Sequence, residues 1–150
     1  MDFYLVRHGE AVADLIDASR PLTRAGREDV KRVAHLAAAK AVQVSAIYHS
    51  GILRAAQTAE IFAAHLAPSA GVLIMSGLRA DDDPSLAAAE LAVAENPVMI
   101  VGHLPHMNRL AALLGGGNAE GKRINFVPAM MVCYRREGSL WRLDWTITPT

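Results

Sequence analysis

Residues 4–11 read YLVRHGEA, and the fold turns on how this octet is taken. With Phe3 before them, Tyr4, Leu5 and Val6 make an apolar run without polar alternation. Such a run suits a strand covered on both faces, as in a parallel sheet. It stops at Arg7, His8 and Gly9: a cation, a titratable imidazole, and a residue that lets the backbone turn sharply and approach a ligand. The octet is either a strand that ends in polar residues or a site that holds an anion.

Further along, strand-like and helix-like stretches alternate. Thr23 reads as the N-cap of a helix over 24–40, where Val30, Val33, Ala34 and Ala37 form an i, i+3, i+4, i+7 stripe. A strand is expected at 44–48, then a helix at 52–66 with Ala55, Ala59, Phe62, Ala63 and Leu66 on one face. A third strand is expected at 72–75. Asp83 and Pro84 supply a cap and a first helical position for a helix running to about Glu95, with Ala87, Leu91 and Ala94 inward. Beyond Pro97 comes a strand at 98–102. Pro105 opens another helix, with Met107, Leu110, Ala111 and Leu114 inward and Gly115 as its stop. The stretch 115–121, GGGNAEG, reads as a loop and lacks the Lys-Ser/Thr ending of a P-loop. Strands near 129–135 and 140–147 are joined at Glu137-Gly138. The pattern predicts an α/β three-layer sandwich in a single domain, 1–150. Its central sheet of about six strands is mostly parallel, with helices on both faces and a C-terminal antiparallel hairpin.

Composition narrows the partners. Lys plus Arg and Asp plus Glu are equal at 15 each, so no net field draws the chain to nucleic acid or an anionic membrane. No apolar stretch approaches the roughly 20 residues that cross a bilayer, and no secretory signal is expected. One cysteine, Cys133, excludes an internal disulfide, which fits the cytoplasm.

In an open parallel sheet, ligands bind beyond the C-terminal strand ends. The expected first strand delivers Arg7 and His8 there. The second delivers His49 and Ser50, with Arg54 in the helical turn behind. Arg79 and Asp81–Asp83 follow the third, and His103 and His106 follow the fourth. Singly, each has a plainer reading as a solvated rim residue. Together, guanidinium forks and helix N-termini suit a phosphate. His35 and His65 read as surface or packing residues, and His49 fits a rim or a strand end equally. His103-x-x-His106 invites a metal, but a third ligand at fixed spacing is missing and Pro105 intervenes; no metal is expected.

Four ordered stretches resemble the histidine phosphatase, or phosphoglycerate-mutase-like, superfamily. LVRHGEA is similar to its N-terminal signature, and RPLTRAG (20–26) to a second element. HSGILRAAQTAE (49–60) is similar to a third, with Gly51 where proline is usual, and VGHLPHM (101–107) to a fourth. Small size and the order of these elements look most like the SixA branch, the phosphohistidine phosphatases. The resemblance implies His8 as nucleophile, Arg7 and Arg54 as phosphate clamps, and His103 as their electrophilic partner. Gly9 and Arg20 are implied as further phosphate or substrate contacts. It also implies catalysis without a cofactor.

That assignment suits phosphoryl transfer, which needs mainly positioning and charge stabilisation. A neutral His8 attacks, a charged His103 assists, and water hydrolyses the phosphohistidine formed. Ester substrates require a general acid, for which Glu10, Asp81 and Asp82 are candidates. An imidazole leaving group is less demanding, and no long insertion is present to form a lid. The leading expectation is therefore removal of phosphate from phosphohistidine on a protein. The alternatives are a small-molecule phosphomonoesterase and a non-catalytic phosphate-binding regulatory domain. A mutase, which needs a closed site, fits less well.

Overall fold

Six strands and four helices make up the described residues, 1–116 and 124–150, of the computed structural model. In chain order they are β1 (Asp2–Arg7), α1 (Arg24–Ala39), β2 (Ala46–His49), α2 (Leu53–Leu66), β3 (Val72–Ile74), α3 (Pro84–Val93), β4 (Val98–Gly102), α4 (His106–Leu114), β5 (Met131–Glu137) and β6 (Leu140–Ile147). One sheet runs through all six strands in the order β3-β2-β4-β1-β5-β6. The first four lie parallel; β5 is antiparallel to β1 and to β6. This is the expected α/β sandwich.

Strand periodicity divides the core into two layers. Tyr4, Val6, Met99, Val101, Met131 and Cys133 face α1 and α2. Their chain neighbours Phe3, Leu5, Ile100 and Val132 face α3 and α4. Strands buried on both faces must be apolar throughout, which is why the YLV run read as it did. No described helix is long and apolar enough to cross a membrane.

Several boundaries move. The second strand starts at Ala46 instead of residue 44, because Ser45 turns both its N–H and its hydroxyl to the Pro97 carbonyl. The strand expected at 129–135 is Met131–Glu137; Ala129 adopts φ +68°, a left-handed turn that no strand tolerates. The hairpin turns at Gly138-Ser139, one residue later than expected, with Glu137 paired to Leu140 and Gly138 at φ +63°. The third helix ends at Val93, where Ala94 goes extended. Of the loop expected at 115–121, residues 117–121 lie outside the described residues.

Caps are as the sequence implied. Thr23 accepts the Gly26 N–H at α1, and Asp83 accepts the Ser85 N–H at α3. The tryptophans of β6 pack inward on their own sheet: Trp141 meets the Phe3 ring edge-on at 5.3 Å, and Trp145 lies 5.9 Å from Tyr4.

Candidate active site

β1 and β4 are neighbours in register, with Arg7 opposite Gly102. The next residue on each strand is therefore a histidine, and His8 and His103 emerge side by side. The His8 N–H is fixed to the Gly102 carbonyl at 3.0 Å. Their ring centroids lie 5.0 Å apart at 52°. Both side chains are buried. β2 ends on the far side of β4, and its Ser50 hydroxyl reaches His103 Nε2 at 2.6 Å.

The His8 ring is oriented by its own loop. Nδ1 lies 2.7 Å from the Gly9 carbonyl, an acceptor only, so Nδ1 carries the proton and Nε2 keeps a free lone pair. Gly9 is anchored in turn, its N–H donating to Thr58 Oγ1 at 3.1 Å. The Thr58 hydroxyl donates to the Arg54 carbonyl one turn back at 2.8 Å. One fully buried threonine thus ties the His8 loop to the first turn of α2, where Arg54 sits.

Arg7 is aimed from the other layer. Its Nη1 donates to the Phe126 carbonyl at 2.8 Å, and the Phe126 N–H donates to Asn108 Oδ1 of α4 at 3.2 Å. Nε of Arg7 and Nε of Arg54 are buried without a partner among the described residues. Buried guanidinium donors left open in this way suit an incoming oxyanion. Arg20, at φ +48°, bonds the Val12 carbonyl through Nε at 2.9 Å, and its charge falls on both Arg54 and His8.

The electrostatics correct one expectation. His8 and His103 were expected in opposite protonation states. Instead burial, reinforced by neighbouring positive groups, lowers His8 to about 4 and His103 to about 3. For His8 the further causes are Arg54, Arg7 and Arg20, against the opposing Gly9 carbonyl. For His103 they are led by His8 and Arg54. Both rings are neutral near pH 7. The guanidinium cations around the two rings disfavour a further cation on either of them.

Gly9, expected as a phosphate contact, is held closely by its surroundings. Its N–H is already given to Thr58, and its backbone does not enter the left-handed region. What demands glycine is α1: a Cβ there would lie 2.7 Å from Val30 Cγ2 and 3.1 Å from the Gly26 carbonyl.

Two of the candidate acids, Glu10 and Asp82, have local partners. Glu10 is exposed, and its carboxylate accepts the Thr23 hydroxyl at 2.9 Å. Asp82 accepts the Arg79 N–H at 2.9 Å, and Asp81 is exposed. His49 Nδ1 accepts the Gly51 N–H at 3.0 Å and so shapes the turn after β2. His106 is wholly buried. Ser50 and Thr58 were not singled out as site residues. Thr58 left a signal: it is a hydroxyl on the inward stripe between Ala55 and Phe62. Ser50 left none beyond its place at a strand end.

The family model for the histidine phosphatase superfamily (branch 1) matches residues 3–80, from β1 through the segment after β3. The chain belongs to the histidine phosphatase superfamily. Phosphohistidine phosphatase SixA of Escherichia coli K12 is 30% identical over 122 residues, covering 78% of this chain and 76% of that protein. An uncharacterized protein of Picosynechococcus is 33% identical over 141 residues, covering 90% of this chain and 85% of its own. A solved structure of the protein histidine phosphatase SixA complexed with tungstate matches with a TM-score of 0.87 at 26% identity, over 99% of this chain and 97% of that one. This superfamily member is a phosphatase of the SixA type.

Proposed function

We propose that this enzyme removes phosphate from a histidine carried on a protein, through a phosphohistidine formed on His8. The observation that carries the reading is the His8 ring itself, with Nδ1 held on the Gly9 carbonyl at 2.7 Å and Nε2 free, 5.0 Å between its centroid and that of His103. A binding domain needs arginines but no oriented nucleophile. The SixA relative from E. coli carries the name phosphohistidine phosphatase, which supports the substrate class.

In the first step the Nε2 lone pair of His8 attacks phosphorus. The P–Nε2 bond forms while the substrate's P–N bond breaks, and the departing imidazole leaves neutral with a proton taken from solvent. Arg7, Arg54 and Arg20 balance the charge on the phosphoryl oxygens. In the second step water attacks the phosphorus of phospho-His8. The P–Nε2 bond breaks, and inorganic phosphate leaves with its protons balanced by solvent. His103 enters neutral; a bound phosphoryl dianion supplies the attraction that draws a proton onto it, held by Ser50. Departure of imidazole asks less of a general acid than departure of an alkoxide. The local engagement of Glu10 and Asp82 therefore favours the phosphohistidine substrate over an ester. With such a substrate the enzyme would act in signal transduction in the cytoplasm.

The test is rapid quenching after exposure to a 32P-labelled phosphohistidine protein. Label on the enzyme should be acid-labile, alkali-stable and absent from His8→Ala, whose turnover should fall by on the order of 10⁴. Undiminished turnover by His8→Ala refutes the mechanism. A higher kcat/KM on a panel of sugar phosphates than on the phosphoprotein refutes the substrate.

A further inference from the structure

We infer that Leu15 and Ile16, at the tip of the 12–21 loop, dock the protein that carries the phosphohistidine; this rests on the function proposed above. Leu15 is 97% exposed and Ile16 81%, the two most exposed large apolar side chains among the described residues. Scattered surface leucines need no explanation, but adjacent ones held out into water by an ordered loop do.

The loop is held at foot and tip. Its ends close through the Val12 N–H on the Pro21 carbonyl at 2.8 Å and a bridge between Ala11 and Leu22. At the tip, the N–H groups of Ile16 and Asp17 both donate to the Ala13 carbonyl, at 3.0 and 3.1 Å, which makes a single helical turn. Asp17 accepts the N–H and the hydroxyl of Ser19, and the Arg20 N–H closes on the Asp17 carbonyl at 3.0 Å. Leu15 and Ile16 ride on that turn and belong to neither core cluster.

The foot of the loop enters the active site. Arg20 bonds Val12 there, and its charge acts on His8. Four residues of chain reach at most ~14 Å, so Ile16 stands within that span of Arg20 along the backbone. At the end of β3, Ile74 is 69% exposed. It lies against the turn after Ser50, where a Cβ on Gly51 would be 3.7 Å from its side chain. Two exposed apolar shoulders on different elements thus adjoin segments of the rim, Leu15 and Ile16 through Arg20 and Ile74 through the turn after Ser50. A phosphorylated small molecule fills the rim; a protein surface also covers the shoulders.

Charge decides between a protein and a lipid surface. Asp14 and Asp17 flank the apolar pair. An anionic leaflet repels them, whereas a groove of apolar residues edged by Lys or Arg accepts both parts of the tip. The partner is therefore the phosphoprotein, offering such a groove beside its phosphohistidine.

The experiment compares wild type with Leu15→Ser/Ile16→Ser and with Ile74→Ser. Substrates are a histidine-phosphorylated phosphotransfer domain and p-nitrophenyl phosphate. Removing such anchors should lower kcat/KM for the phosphodomain at least about tenfold, mainly through KM. Turnover of p-nitrophenyl phosphate should stay within about twofold, since none of the three residues supplies a charged or hydrogen-bonding group to the rim. An unchanged kcat/KM on the phosphodomain overturns the inference, and so does an equal loss on both substrates. Leu15-dependent binding to phosphatidylserine vesicles overturns it in favour of a membrane. If wild type hydrolyses p-nitrophenyl phosphate but leaves the phosphodomain intact, the proposed substrate fails, and the docking surface with it.

Discussion

At Thr58 a single hydroxyl serves two loops. It accepts from Gly9, next to His8, at 3.1 Å, and donates to the Arg54 carbonyl at 2.8 Å. Because it is fully buried, no water replaces it when it is removed. Thr58→Val keeps the volume and shape but leaves the Gly9 N–H without a partner. Such an orphaned group costs about 1–3 kcal/mol, which urea denaturation measures. The same change frees the His8 loop, so p-nitrophenyl phosphate turnover should fall with it. Thr58→Ser, which restores the hydroxyl, should recover most of both. A valine variant with wild-type stability and activity would show that the loop is held by something else. Arg7, His8 and His103 were legible as candidates in the sequence because strand ends announce them, and Arg54 through the helical turn behind a strand end and the resemblance of HSGILRAAQTAE. Thr58 showed only as a hydroxyl on an inward stripe, because its partners are fixed by hydrogen bonds between segments 49 residues apart.

The first turn of α1 presses on the loop that leaves β1. Thr23 caps that helix through its hydroxyl on the Gly26 N–H, while its own N–H reaches the Glu10 carbonyl at 3.0 Å. Gly26 faces the same carbonyl so closely that a Cβ would run into it, and would also lie 3.0 Å from the Glu10 nitrogen. These neighbours are backbone and cannot swing aside. Gly26→Ala must therefore push α1 off the 8–10 segment. Overpacking of this kind costs about 1–3 kcal/mol, despite the gain of about 1 kcal/mol expected when alanine replaces a helical glycine. A net loss in urea denaturation, with reduced turnover from a displaced His8, is the expected result; net stabilisation would refute the contact. Apolar periodicity placed α1 within one residue, since Val30, Val33, Ala34 and Ala37 are all buried. It was blind to the close packing at Gly26 and Gly9, because a glycine chosen for close approach looks in sequence like one chosen for a turn. Where Ser45 leaves the ladder for Pro97, or Ala129 goes left-handed, the boundary depends on tertiary partners that local pattern does not carry.

Two layers of core hold two histidines in a cationic rim, and the whole fold bears the consequence. An unfolded histidine titrates near 6.5, whereas folding lowers His8 to about 4 and His103 to about 3. His49 and His106 are lowered in the same direction, first by burial. Between pH 6.5 and 4 the unfolded chain therefore binds more protons than the folded one. Stability must fall as pH drops through that window, and the penalty vanishes above it. For each of the two rim histidines the loss at pH 5 is on the order of 1–2 kcal/mol. Under the proposed mechanism, keeping His8 neutral preserves its lone pair for attack, so the site trades acid stability for a ready nucleophile. Urea denaturation at pH 7 and pH 5 should show the wild type losing this stability. His8→Asn/His103→Asn, which cannot titrate there, should lose less by about the two contributions combined. Equal losses in the two proteins would mean that the rim does not hold its histidines neutral. The low acid limb expected of His8 in catalysis would then fail with it.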